Sequence, residues 1–482
     1  MMKKQSLRIE NKVVKKIPWE LFFIFLFTCL YILGAALVSL HRYWQFDAFW
    51  LDFGIFDETI WQLSRFHLPV IPTLAPPTGK VVWGDHFNPS AILLAPLYWI
   101  TNKAEIILVA QAVGVGLSAL VGYALIRKKI TVPLVRISLI VSYLGFVGLQ
   151  NALYTDVHNI VFALLPFMLT IWSYFEKKWS LYWLFLLVTL GFQENMGAVG
   201  IGLGLYWVIR DRKNMLVGMI TILLSLGWAL LATTLFIPFF NHGPYNYRPE
   251  FPAIWYEWIT HFFQPFDLKL RTIVLTLLTF GGLPLFSFAT YPLIVEHFLE
   301  RFVLNTAATR WDLGFHYNAL LSPIMFLAVV DVMERWQNNP KARKWLTCWA
   351  GVTIFIVYFL HRFYLHGPLI LATHPVFYEQ TKRNQFIQKF VNLIPPNGLL
   401  MTQNNLATHF THRPVVILTK AYTSIKPDVV AVDIRPGQNP NNFFPLTEED
   451  TKALIASLSA DTQYQKQEIT DSQLLFFKKD SL

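Results

Sequence analysis

The chain is short of cysteine and of charge. Two cysteines stand among 482 residues, and Asp, Glu, Lys and Arg together make up only 15%. A disulfide framework or a cysteine metal cluster needs more thiols at closer spacing. Cys29 lies in the middle of the first apolar run and Cys348 near the cytoplasmic start of the last, so neither feature is expected. Soluble domains carry about 25% charged residues, so this surface cannot be wholly water-facing. Nothing resembles a nucleotide-phosphate loop: the GxG at Gly202 to Gly204 lies inside an apolar run, where it permits close helix packing. No small-residue cleavage site follows the first apolar run, which therefore reads as a retained helix. No internal repeat is visible.

What is present is apolar. Hydrophobic residues make up 54% of the chain and aromatics 16%, arranged in repeated runs of about twenty, the length that crosses a bilayer core. The reading is a polytopic α-helical protein of the plasma (inner) membrane with about eleven transmembrane helices. The net charge of +10 sits before the first run and in alternate short loops, the positive-inside pattern. It indicates orientation and a lipid environment, with no nucleic-acid partner. Residues 1–18 form a basic cytoplasmic tail, 19–373 the membrane domain with a large first outer loop at 41–103, and 374–482 a separate domain.

Within the membrane domain, NPSAILLAPLYWI is about thirteen residues with two prolines, too short to span, and is expected to lie at the interface. The run Trp179–Ile209 has basic clusters at both ends and Gln193-Glu194-Asn195 in its middle. It must go out and return, each arm reaching roughly 20–24 Å against a core of about 30 Å. Glu194 then faces a watery cavity or a partner, or the pair tilts in a thinned bilayer with Glu194 just wet. Beyond His374 the short β-branched runs LLMTQ, VVILT and VVAVDI, a helix TEEDTKALIASLS and a closing pair around Thr470-Asp471-Ser472 read as a small α/β domain outside the membrane.

The acids concentrate in the first outer loop, where FDAFWLDFGIFDETIWQ and VVWGDHFNP hold Asp47, Asp52, Asp57, Glu58, Asp85 and His86. With Asp156, His158, Glu194, His316 and Tyr317 they share the outer ends of spans and could converge on one crevice. Carboxylates that deprotonate a hydroxyl or steady positive charge suit sugar transfer. On a simple helix Asp52 and Asp57 point roughly 140° apart, so either the loop is irregular, or one acid is catalytic and the other caps; Asp57-Glu58 equally fits a helix start. A divalent metal could use these oxygen and nitrogen ligands, although no recognised ligand spacing occurs. Arg248, Arg271, Arg301 and Arg310 could hold a lipid phosphate or simply meet headgroups.

The order DFGIFDETIW, GDHFNPSAILLAPLYW, AQAVGVGLSALVGYALIRKK, TDVHN, QENMGAVGIGLGLYWVIR, HY at His316-Tyr317 and IPPNGLLMTQNNLATHFTHRPVV with VVAVD resembles a family of bacterial and archaeal polytopic proteins catalogued as a domain of unknown function. That family is itself thought to be related to the GT-C glycosyltransferases. The chain departs from the family pattern at Glu58, where Gln is expected, at Asn159, where Pro is expected, and at Gln193-Glu194-Asn195, where Lys-Glu-Asp is expected. The last change removes a cation beside Glu194. The resemblance implies a GT-C-like fold with a catalytic carboxylate in the first outer loop and a polyprenyl-phosphate sugar donor used at the outer leaflet. By it Asp52 is the catalytic acid-base residue or metal ligand and Asp57 the second candidate. Glu58, Asp85, His86, Asp156, His158, Glu194, Arg310, His316 and Tyr317 would bind substrate. A transporter or flippase, or a non-catalytic envelope protein, are the competing readings; transporters often show repeats and charges deep within spans.

Overall fold

The computed structural model describes residues 19–304 and 307–479. The basic tail at 1–18 lies outside them. The chain is mostly helical. Four helices are long and apolar enough to cross a membrane by length and composition: Trp19–Trp44, Glu105–Lys129, Arg212–Asn241 and Pro340–Leu365. Two bent pairs, Pro133–Gly145 with Val147–Tyr154 and Ala308–Asn318 with Leu321–Trp336, raise the number to six if each counts as one span. The expected total of about eleven also counted shorter apolar runs, and these form helices of 10–17 residues such as Asn159–Phe175, Trp179–Leu190 and Met196–Arg210.

The sidedness of the long helices is that of membrane segments. Arg212–Asn241 exposes Leu216, Met219, Leu223 and Leu230 and buries Gly218, Thr221 and Ser225. Such an outward-apolar, inward-small pattern inverts the soluble rule, because lipid solvates leucine as well as a core does. The glycines allow close approach: a Cβ on Gly204 would stand 2.7 Å from the Gly218 carbonyl oxygen. The GxG therefore serves packing, as expected.

NPSAILLAPLYWI does not span; it forms a 3-10 stretch, Pro89–Leu94, and one helical turn, Leu97–Ile100. The run around Glu194 breaks as expected, into Trp179–Leu190 and Met196–Arg210. At twelve and fifteen residues these arms measure about 18 and 22 Å.

In the loop that follows the first long helix a small antiparallel pair, β1 (Val70–Ile71) and β2 (Lys80–Val81), closes a hairpin. The C-terminal region builds a five-stranded mixed sheet from β3 (Leu400–Thr402), β4 (Val415–Ile417), β5 (Val429–Asp433), β6 (Tyr464–Thr470) and β7 (Gln473–Lys478), in the order β4-β3-β5-β7-β6. β3 is parallel to β4 and β5, while β7 is antiparallel to β5 and β6. Alternation assigns the faces. Met401, Val430 and Val432 pack under the helix Glu448–Ala460, through Leu454 and Leu458. Leu400, Val429 and Ala431 turn the other way and share one core with Phe46, Trp50, Ile55, Ile71 and Val82 of the loop after the first long helix. The sheet is thus packed onto that loop rather than hung from a linker. Cys29 and Cys348 are both free.

Candidate functional site around Asp52

A helix with an irregular first turn carries Asp52. A π-helical turn, Trp50–Gly54, runs directly into the helix Ile55–Ser64. π turns inside helices recur at functional sites because the extra residue re-aims side chains. Trp50 is fully buried against the C-terminal sheet, and its indole folds over Gly54, where any Cβ would overlap the ring. Gly54→Ala is therefore expected to displace Trp50 and cost about 1–3 kcal/mol as an overpacking change, read as a lowered melting temperature of the purified protein.

Asp52 lines a cavity of about 220 Å³ together with Asp85, His86, His158, Arg310, His316 and Tyr317. All seven were singled out by sequence, and the fold brings them together from four separate segments. Among the described residues the Asp52 carboxylate accepts no hydrogen bond and makes no ion pair. Burial pushes its pKa up to about 6, with the nearby His86 pulling against the shift. On the far wall the rings of His158 and His316 stack with centroids 3.4 Å apart. Burial lowers His158 to about 4, so it is neutral at pH 7, and its Nε2–H donates to the Thr155 carbonyl at 2.5 Å. Arg310 lies over the Tyr317 ring, 5.0 Å from its centroid, and has no carboxylate partner among the described residues.

The other candidate acids are all taken by structural partners. Asp57, fully buried, accepts the Tyr98 hydroxyl, and His412 Nε2 lies 3.2 Å from its other oxygen. Glu58 accepts from Gln62 at 2.6 Å and from the His412 backbone N–H at 2.7 Å. Both residues face away from the cavity and tie the C-terminal domain to the Asp52 helix; a glutamine at 58 would still offer His412 an acceptor. Asp156 sits behind Asp52, paired with Arg42 at 3.3 Å and accepting the Phe49 N–H at 3.1 Å. Burial drives it up to about 6 as well, against the pull of Arg42. Asn159 occupies the first position of a helix, where proline is equally at home.

Glu194 does not line this cavity; it is buried beside it, in the wall of an adjoining larger one. It accepts from Tyr245 at 2.9 Å and from the Phe87 N–H at 3.1 Å, and pairs with His86 Nδ1 at 2.8 Å. Burial alone would depress the His86 pKa, but Glu194 and then Asp85 outweigh it and hold the imidazolium above its ordinary value. His86 is thus the partner that Glu194 has on this side. Glu194 therefore has hydrogen-bond partners and also lines the larger cavity beyond His86.

Beyond His86 the cavity adjoins a second one of about 800 Å³. His86, Gln193, Asn195, Tyr247 and Arg310 line both. The larger space is a cleft between Met196–Arg210, Arg212–Asn241 and Tyr291–Phe302, walled by side chains such as Leu205, Leu230, Val295 and Leu299. Arg248 stands on its rim. Sequence reading missed Tyr245 and Tyr247, whose hydroxyls bind Glu194 and Asp85; the aromatic segment NHGPYNYRPEF was their only signal. Among the described residues no set of three or more His, Cys, Asp or Glu side chains is arranged to hold a metal ion.

No curated protein matches this chain. The family described as predicted membrane protein (DUF2079), a domain of unknown function, matches residues 42–475. That span includes both cavities and nearly all of the C-terminal sheet, and on it the chain belongs to this family of predicted membrane proteins.

Proposed function

We propose that the protein is a membrane glycosyltransferase of GT-C type that moves a sugar from a polyprenyl-phosphate donor to an envelope acceptor at the outer leaflet, with inversion. One observation carries this reading. An unpartnered, half-buried carboxylate, Asp52, faces a polar cavity that adjoins an apolar cleft of about 800 Å³, with Arg310 lining both. In this reading the polyprenyl chain occupies the cleft, Arg310 and Arg248 meet the phosphate, and the sugar lies beside Asp52. Asp52 takes the proton of the acceptor hydroxyl as its oxygen bonds to the anomeric carbon. The bond from that carbon to the phosphate oxygen breaks, and its electron pair leaves with polyprenyl phosphate. A divalent cation, if used, would combine one carboxylate with phosphate oxygens, the usual manner of Mg²⁺. The proposal includes the eleven-span topology, a cytoplasmic N-terminus and an extracytoplasmic C-terminal domain, supported by the alternation of basic loops.

Purified protein incubated with radiolabelled polyprenyl-phosphate sugar tests the reading. Wild type should release polyprenyl phosphate and Asp52→Asn should not; equal consumption by both would remove Asp52 from the chemistry, and consumption by neither would leave transport or a non-catalytic role. The pH dependence has a definite sign. Asp52 acts as a base only when ionised, so the rate should fall as pH drops through about 6, and a rate flat from pH 5 to 8 would remove Asp52 from that role.

A further inference from the structure

The helix that carries Asp52 starts without a cap of its own. Phe49 stands at its N-cap position, in extended conformation and with no side-chain hydrogen bond. Apolar residues are poor there, because the first N–H groups of a helix need acceptors that phenylalanine cannot offer. Two acceptors come from elsewhere in the chain. Asp156 takes the Phe49 N–H, and Asn404 Oδ1, from the C-terminal domain, takes the Leu51 N–H at 3.2 Å.

Asn404 is well placed to do this. The chain leaves β3 for β4 on one side and later enters β5 on the other, so the carboxyl end of β3 is the switch point of the parallel strands. In open α/β sheets that crevice is where ligands bind. Here Gln403 closes against β5, accepting the Asp433 N–H at 2.6 Å. Asn404 and Asn405, which follow it, reach the loop after the first long helix instead of a small molecule. Asn405 Nδ2 donates to the Phe46 carbonyl at 3.3 Å, and the His409 ring lies 4.0 Å from that of Phe46. Phe46 has φ 61°, a left-handed conformation a phenylalanine rarely holds, and such residues persist only where their surroundings over-determine them. The side-chain amide of Asn404 donates to the Asn441 carbonyl at 3.1 Å, which fixes the side chain from behind.

We infer that Asn404 is a positioning residue: the C-terminal domain receives the Trp50–Gly54 turn where a sheet of this kind would receive a ligand, caps that helix in trans, and so holds the Asp52 carboxylate on its cavity. The turn and the cap stand on geometry alone; the consequence for turnover rests on the sugar-transfer reading.

Hydrogen–deuterium exchange by mass spectrometry on the full-length protein separates the two. In Asn404→Ala the amides of the Trp50–Gly54 turn should exchange about tenfold faster, the effect of one buried hydrogen bond lost. Asn404→Asp keeps an acceptor for the Leu51 N–H but loses the amide bond to the Asn441 carbonyl, so its turn should exchange at a rate between those of wild type and Asn404→Ala; it serves if the alanine variant does not fold. Thr447→Ala is the remote control: it removes the cap of the helix Glu448–Ala460, where Thr447 accepts the Asp450 N–H at 3.0 Å, and should leave the turn unchanged. With labelled polyprenyl-phosphate sugar, Asn404→Ala should lower kcat about tenfold with KM for the donor unaltered. Exchange in the turn that is unmoved by Asn404→Ala, or equally quickened by Thr447→Ala, overturns the proposal. Faster exchange confined to Asn404→Ala, in a protein whose wild type consumes no donor, upholds the cap and defeats the sugar-transfer reading instead.

Discussion

Asp52→Asn should lower donor consumption by about 10²–10⁴-fold, the usual worth of a positioned general base, while leaving the fold intact or firmer. The second half of that expectation separates this residue from its neighbours. Asp57, Glu58, Asp156 and Glu194 all hold hydrogen bonds or ion pairs, so their neutral variants confound chemistry with structure. Asp52 holds none. Its carboxyl titrates near 6 in the folded protein against an ordinary 3.8. Below both values the group is protonated in folded and unfolded chains and the substitution changes little. Above pH 6 it is ionised in both, and the folded state alone bears the cost of a charge withdrawn from water. The neutral amide of Asp52→Asn has no such cost, so the variant should melt higher than wild type at pH 8, with the gap closing toward pH 4. An inactive variant more stable than its parent is the signature of a group kept for function against stability. A variant that melts lower at pH 8 would assign Asp52 a structural task and remove the centre of the proposed site.

Much of this was legible in the sequence, for reasons that also explain what was not. The C-terminal sheet was readable because its strands are short β-branched runs between turn residues, and the hairpin at Thr470-Asp471-Ser472 announces itself. The long spans were readable from apolar length. The eleven-span count reaches past what length supports: Trp179–Leu190 and Met196–Arg210 are apolar but shorter than a bilayer core, and only their partners say which way they run. In the acidic loop, Asp52 and Asp57 are equivalent by composition, and periodicity says only that they point apart. What distinguishes them is Tyr98 and His412 against Asp57, and His412 lies 355 positions further along the chain. Asn404 is as remote from Leu51. Contacts of that span leave no local trace, and neither asparagine nor histidine carries a periodic signal. The grouping of Asp85, His86, His158, His316 and Tyr317, by contrast, rests on the expected alternation of spans, which puts these residues at one set of span ends before any geometry is known.

Arg42→Ala should be the most damaging single change in the frame around the site, at roughly 3–5 kcal/mol, because it leaves a buried carboxylate without its counter-ion. Arg42 is 5% exposed. Its guanidinium pairs with Asp47 at 2.9 Å and Asp156 at 3.3 Å, donates to the Tyr154 and Asp47 carbonyls, and stacks over the Tyr154 ring. Asp47 is partly open to solvent and can rehydrate, but Asp156 cannot, at 5% exposure. A double variant separates the value of the pair from the cost of breaking it. If the damage comes from the stranded Asp156 charge, Arg42→Leu combined with Asp156→Asn should recover most of the lost melting temperature, since removing both charges is far milder than removing one. Recovery of stability should not restore turnover. Asp156 takes the Phe49 N–H at the start of the Asp52 helix and itself sits at φ 79°. With the arginine gone, the segment from Phe46 to Asp52 loses the Arg42 bonds to Asp47 that fix its bend. A double variant as stable as wild type yet slow to consume donor would show that Arg42 orders the approach to Asp52 as well as neutralising the charge behind it.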